Sequence, residues 1–322
     1  HPRLDTVLAH LNQLGFKVIE GLCLRENINH VSAPKAQRAA ELMSFLSDDN
    51  IDAVMPPWGG EIAMDILPLL DFELLKTVKP KWLVGFSDVS TLAIALTTKL
   101  GWATVHSANL IELHPDENNP YTAGVLSHLQ LQRGDSFHQS ASSHYQLHDR
   151  SYADDPHALL TPTEATQWQV LGNADSALFS GRLIGGCLDT LSHFVGSDYF
   201  DLSAFAQKHS DDGVILYFEN AEMLPTTLLR CLLGMKYKGV FSQLNGILIG
   251  RNAVLDNQGK RISAVDALQQ ALGDLEIPII FDVDIGHLPP NLTLINGALA
   301  QVSLSQSHMN SPQQAKIIQL LN

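Results

Sequence analysis

Short apolar runs alternate with stretches of helical spacing through the first two-thirds of this chain, and few folds accommodate that rhythm. Leu4, Val7, Leu8, Leu11 and Leu14 share one helical face, and Gly15 stops the helix. Phe16 to Glu20 reads as a strand. Residues 34–48 read as a helix with Ala39, Leu42, Met43 and Leu46 on one side, and Ile51 to Met55 as a strand. Pro56-Pro57-Trp58-Gly59-Gly60 ends that strand, and a helix is predicted from there through Leu70. Strand Trp82 to Phe86, helix Asp88 to Leu100 and strand Ala103 to His106 follow. Strands alternating with helices of this length predict a parallel sheet covered on both faces.

Segments 112–120 and 149–165 are rich in Asp, Asn, Pro, His and Thr and read as loops. Beyond them, Val214 to Phe218, Leu244 to Ile249 and Ile277 to Val283 are predicted strands, with helices over 224–235 and 263–272 between them. Leu292 to Ile295 and Ala298 to Leu304 flank Asn296-Gly297, a two-residue hairpin signal. At 322 residues the chain fits two domains. The expected class is α/β: an N-terminal parallel-sheet domain over 1–150, a linker over 151–175, and a smaller mixed α/β domain over 176–322.

Composition removes several functions. Twenty Lys and Arg against 34 Asp and Glu give a net charge of −14, which argues against a nucleic-acid polymer as partner. No apolar run reaches the ~18 residues of a membrane span. Cys23, Cys187 and Cys231 are too few and too scattered for a disulfide framework or a CxxC metal site, and read as small buried hydrophobes. A cytoplasmic protein is expected. The chain begins His1-Pro2-Arg3 and runs at once into a helix, so a missing upstream segment is also expected.

The most informative stretch is Lys81-Trp82-Leu83-Val84-Gly85-Phe86-Ser87-Asp88. A buried strand runs into a helix, and Ser87 sits at the junction, where free N–H groups and the helix dipole favour a nucleophile and its oxyanion. The alternative is a plain N-cap at Ser87, with Asp88 favourable in the first turn. Gly59-Gly60 forms either a close-approach cradle at a second such junction or an ordinary tight turn. A nucleophilic serine needs a base and an orienting acid. Of 14 histidines, His287 lies in a Gly/Pro-bounded loop after a strand, and His106 is its competitor. His114, His138, His144, His148 and His157 lie in polar stretches and read as solvated. Glu219 ends the apolar run Val214 to Phe218 and needs a partner, such as a local backbone N–H or Arg230. Asp282, Asp284 and His287 offer a weaker alternative, a metal site.

Gly59-Gly60, Gly85-Phe86-Ser87-Asp88, Gly181-Arg182-Leu183-Ile184-Gly185-Gly186, Phe218-Glu219 and Gly286-His287 occur in this order. As an ordered set they resemble the serine LD-carboxypeptidase family, which includes muropeptide LD-carboxypeptidases and microcin C immunity peptidases. The resemblance spans residues 2 to 305. It implies a Ser87–His287–Glu219 triad assembled in the cleft between two α/β domains, with the backbone N–H groups of Gly60 and Asp88 as oxyanion hole. It implies a serine peptidase acting on a small peptide or peptidyl-nucleotide, with no cofactor and no metal, and a homodimer. A non-catalytic peptide or peptidoglycan-fragment binder on the same fold is the alternative. Muropeptide enzymes commonly carry an Arg-Gly-Gly-Tyr-Gly loop where this chain has Pro57-Trp58-Gly59-Gly60-Glu61, and this version is nearer the microcin-immunity branch. Trp58, Gly59 and Glu61 are therefore candidate substrate contacts. Trp168 is a candidate to stack on an aromatic substrate group, with a core or domain-interface role as the alternative, and Arg182 and Arg230 are candidate carboxylate binders, with a structural role as the alternative for each. The family also carries one more strand ahead of the first helix, so this chain is expected to be short by that strand.

Overall fold

The computed structural model describes residues 1–148, 150–254, 262–306 and 313–322, so Asp149 of the predicted loop lies outside the described residues. Helix α1 (Pro2–Gln13) starts on a proline, whose missing N–H costs nothing there, and buries Leu4, Val7 and Leu11. The strand expected at Phe16 to Glu20 does not form. Phe16 N–H bonds back to the Leu11 carbonyl, and without a neighbouring strand an apolar run has no ladder to join. Helix α2 (Lys35–Ser47) leads to β1 (Ala53–Val54). The helix expected after Gly60 is a 3₁₀ segment, Ala63–Leu69, with Pro68 inside it, where proline removes a donor and clashes with an α-turn. Then come α3 (Phe72–Leu75), β2 (Trp82–Leu83), α4 (Val89–Leu100), β3 (Thr104–His106) and α5 (Pro120–His128).

The second part contains β4 (Ser136–Ser140), β5 (His144–Tyr145), β6 (Glu164–Ala165), β7 (Gln169–Val170), β8 (Ser176–Cys187), α6 (Leu188–Phe194) and α7 (Leu202–Lys208). It continues with β9 (Val214–Glu219), α8 (Pro225–Tyr237), β10 (Gly246–Gly250), α9 (Ala264–Leu272), β11 (Ile279–Val283), β12 (Leu294–Asn296), β13 (Leu299–Ser305) and β14 (Gln314–Leu320). An eight-stranded sheet runs β4-β14-β13-β8-β9-β10-β11-β7. Its centre, β8 to β11, is parallel, and its flanks are antiparallel. Every residue of β9 is buried, as a strand covered on both faces requires. Leu216 and Phe218 join the core under α6 to α9, while Ile215 and Tyr217 join the core on the opposite face.

The smaller sheet is built from β1 and β2 in parallel, a parallel bridge from Val84 to Val105, and β3 antiparallel to β12. The two sheets thus exchange strands: β4 joins the large sheet, and β12 returns from the far end of the chain to the small one. The Asn296-Gly297 hairpin is therefore absent. Asn296 instead accepts from Gly185 N–H (3.0 Å) and Tyr217 O–H (2.9 Å) and donates to Thr104 Oγ1 (3.1 Å), bridging the sheets from a fully buried position. Residues 151–175, expected as a linker, carry β6 and β7, and Trp168 lies in the core. Only Cys187 of the three cysteines is buried; Cys23 and Cys231 are half-buried, and all three are free. His114 is also buried, against the ring of His157.

Candidate active site

Strand ends converge on one spot. Ser87 lies four residues beyond β2 and has φ +62°, a conformation that costs a non-glycine residue about 1–3 kcal/mol. It is not the N-cap of α4, because that position falls to Asp88, whose carboxylate works elsewhere. Asp88 accepts from Ala63 N–H (2.7 Å) and Thr91 O–H (3.0 Å), which ties the segment after Gly60 to the start of α4. Gly59 lies against the serine: a Cβ there would stand 2.6 Å from Ser87 Cβ and 2.9 Å from Asp88 N. Gly60 has φ +129° and opens onto free space. Among the described residues, neither the Gly60 nor the Asp88 N–H has a protein acceptor. Asn109 accepts from Phe86 N–H (3.1 Å) and holds the turn from below.

His287 Nε2 lies 3.1 Å from Ser87 Oγ, and His287 Nδ1 lies 2.9 Å from Glu219 Oε2. The hydroxyl donates to Nε2 and Nδ1–H donates to the carboxylate. Glu219, at the end of β9, has a fully buried side chain, and that of His287 is 29% exposed. Glycines make the close approach possible: a Cβ at Gly286 would fall 2.3 Å from Glu219 Cγ, and one at Gly250 would fall 2.6 Å from Glu219 Cβ. Phe86 meets the imidazole edge-on at 5.0 Å. Burial alone would lower the His287 pKa, but the charge and hydrogen bond of Glu219, helped by Asp189 and Glu112, raise it above the ordinary value. The competitor His106 is buried, neither ring nitrogen has a hydrogen-bond partner among the described residues, and burial pushes its pKa down to about 3.

Other expected contacts divide. Trp58 is 45% exposed beside the glycines, 5.4 Å from the His1 ring, and Glu61 is exposed and paired with His30. Arg182 is not at the site. It bonds Asp212 (2.7 Å) and the Gly297 carbonyl (2.8 Å), five residues along β8 from Cys187, or about 17 Å at strand rise. Arg230 is exposed on α8 and is not the partner of Glu219. Trp168 is fully buried and donates its indole N–H to Asp284 (2.8 Å), so it offers no stacking face. The Asp282–Asp284–His287 metal alternative also fails. Asp284 is committed to Arg251, Ser142 and Trp168, and Asp282 accepts from Gln169 (2.7 Å). Sequence reasoning missed Cys187 and Asp189. Register alone places Cys187 opposite Glu219, and Asp189 receives Ala221 N–H (2.8 Å) two residues further on.

The chain matches the family model of the LD-carboxypeptidase N-terminal domain over residues 1–107 and that of the C-terminal domain over residues 180–302. Fold and matches together define a two-domain α/β carboxypeptidase. The chain belongs to the serine LD-carboxypeptidase family. A Vibrio cholerae serotype O1 protein bearing a carboxypeptidase name is 27% identical over 90% of this chain and 84% of its own. The "probable murein peptide carboxypeptidase" of Bacillus subtilis strain 168 is 25% identical over 94% of this chain and 85% of its own. The structure of MccF in complex with glutamyl sulfamoyl guanosine superposes with a TM-score of 0.79 at 21% identity, covering 96% of this chain and 92% of that one. Among the described residues, no helix is long and apolar enough to cross a membrane.

Proposed function

We propose that this chain hydrolyses an amide bond near a C-terminal residue through an acyl-enzyme, with Ser87 as nucleophile, His287 as general base and Glu219 as orienting acid. The observation that carries the reading is the continuous relay Ser87 Oγ–His287 Nε2 (3.1 Å) and His287 Nδ1–Glu219 Oε2 (2.9 Å). Ser87 attacks the carbonyl carbon as Nε2 takes its proton. Glu219 fixes the tautomer that leaves Nε2 free to accept, and stabilises the imidazolium that forms. The backbone N–H groups of Gly60 and Asp88 take the oxyanion, helped by the positive end of α4. The imidazolium then protonates the leaving amine, and water hydrolyses the ester by the reverse sequence.

The substrate is a muropeptide or an aminoacyl- or peptidyl-nucleotide. The name of the Bacillus relative supports the first, and the ligand held by MccF supports the second. The exposed ring of Trp58 beside Gly59 offers a flat face to a base and favours the nucleotide conjugate. Side-by-side hydrolysis of an L,D-tetrapeptide and a series of aminoacyl-nucleotide amides decides between them. Ser87→Ala is expected to lower kcat by about 10³–10⁶ with the fold intact. Full activity in that variant would end the assignment. Failure of a fluorophosphonate to label Ser87, with neither substrate class cleaved, would favour a peptide binder.

A further inference from the structure

We infer that Cys187, Glu219 and His287 form a binding site for one divalent ion of the zinc type, and that filling it switches the peptidase off. The parallel register of β8 and β9 sets Cys187 opposite Glu219. Cys187 Sγ, a carboxylate oxygen of Glu219 and a ring nitrogen of His287 all lie within 4.8 Å of one another. The second pointer is Glu219 Oε1. It belongs to a fully buried side chain and makes no geometric hydrogen bond among the described residues, the Cys187 thiol being the donor that interacts with this carboxylate. A buried anionic oxygen short of strong donors favours a cation at its side.

The donor set selects the metal. Thiolate, imidazole and carboxylate suit zinc and its neighbours, whereas magnesium and calcium want oxygen alone. Zinc sits about 2.3 Å from sulfur and about 2.0–2.2 Å from nitrogen or oxygen. Tetrahedral donors are therefore about 3.3–3.7 Å apart, and the widest pair here has to close by roughly 1 Å. Burial and the charges of Glu219 and Asp189 push the Cys187 thiol pKa up and keep it protonated in the free protein, and it gives its proton to solvent when the ion binds. One thiolate and one carboxylate then cancel the two positive charges, so the buried complex is neutral. Asp189 Oδ2, 3.6 Å from Sγ, adds negative charge at the rim, and the part-exposed His287 gives the ion a way in.

Inactivation follows from the tautomer. Nδ1 faces Glu219, so Nδ1 is the nitrogen that ligates. A neutral imidazole bound through Nδ1 carries its proton on Nε2, and that nitrogen can no longer take the proton of Ser87. This switching rests on the triad reading; the binding does not.

Cobalt(II) titration of the purified chain tests the site, read by the thiolate-to-cobalt charge-transfer band. One equivalent is expected to saturate the band in the unaltered chain and in Ser87→Ala. The band is expected to vanish in Cys187→Ser and to persist in a Cys23→Ser/Cys231→Ser double variant, which keeps Cys187 as its sole thiol. Zinc is expected to slow fluorophosphonate labelling of Ser87, and a chelator to restore it. Cys187→Ser should need at least about tenfold more zinc for the same slowing. No band in the unaltered chain, a band surviving in Cys187→Ser, or labelling indifferent to zinc while the band is saturated would each overturn the inference. If Ser87 takes no label without metal, the triad reading falls, and the cobalt band still decides the site.

Discussion

Ser87 is held in a left-handed conformation with Gly59 packed closely against it. A methyl group at Gly59 would have to displace the serine or the start of α4. Gly59→Ala is expected to cost about 1–3 kcal/mol of stability by overpacking. It is expected to lower kcat by about 10²-fold through misplacement of Oγ. Denaturant midpoint and hydrolysis rate, read together, check this, and a normal rate in a folded variant would detach Gly59 from serine positioning. On the proposed mechanism His287 is expected to govern the pH dependence. Only the neutral ring accepts the serine proton, so a pKa held above the usual value moves the acid limb of kcat/KM upward, and the rate climbs with pH through it. Burial opposes that rise and Glu219 causes it, so Glu219→Gln is expected to shift the limb to lower pH. The same change is expected to cut the plateau by about 10⁴-fold, because the tautomer is lost. A limb that stayed in place would show that Glu219 does not set the imidazole.

At the scale of the element, the loop between β11 and β12 carries His287 and is anchored rather than free. Asp284, fully buried, accepts from Ser142 N–H (3.1 Å) and the Trp168 indole (2.8 Å) and pairs with Arg251, which in turn donates to the Leu288 carbonyl (3.0 Å). Gln146 N–H reaches the Pro289 carbonyl at 2.8 Å, and Gly286 N–H bonds Asn291. Asp284→Ala leaves the Arg251 guanidinium buried and uncompensated, and a loss of about 3–5 kcal/mol is expected. Urea unfolding followed by tryptophan emission measures it, since Trp168 loses its acceptor in the same variant. A loss below ~1 kcal/mol would mean that solvent reaches Arg251 as the site relaxes. In the sequence, Asp284 read as a possible metal ligand because it stands three residues from His287. The partners that occupy it come from residues 142, 168 and 251, and no local pattern connects them.

Across the whole molecule, each sheet depends on a strand from the other part of the chain. β14 links β13 to β4, and β12 closes onto β3. Ending the chain after Gln306 removes β14, which strips β13 of a seven-residue partner and leaves β4 without its neighbour. An exposed edge of that length invites pairing between chains, so the truncated protein is expected to aggregate. Size-exclusion chromatography with circular dichroism checks this, and a soluble monomer with unchanged strand content would refute it. The apolar periods of α1, α2, α8 and α9 were legible because each helix buries a stripe of its own residues, and so were β9 and β10, whose apolar runs announce burial on both faces. Ser87, Glu219 and His287 were legible as residues at strand ends, and the ordered motifs named their family. Their meeting was not, because 68 residues separate Glu219 from His287 and 200 separate Ser87 from His287. Sequence by itself determined most of the helices and the central parallel strands, the family and the residues able to do the chemistry, since propensity and burial pattern act over one turn or one strand. Tertiary structure decided that Asn296 joins two sheets instead of turning a hairpin, that Trp168 is a buried donor, and that Cys187 stands beside Glu219 and His287. Register and strand exchange are properties of pairs of distant segments, and neither segment carries the pairing alone.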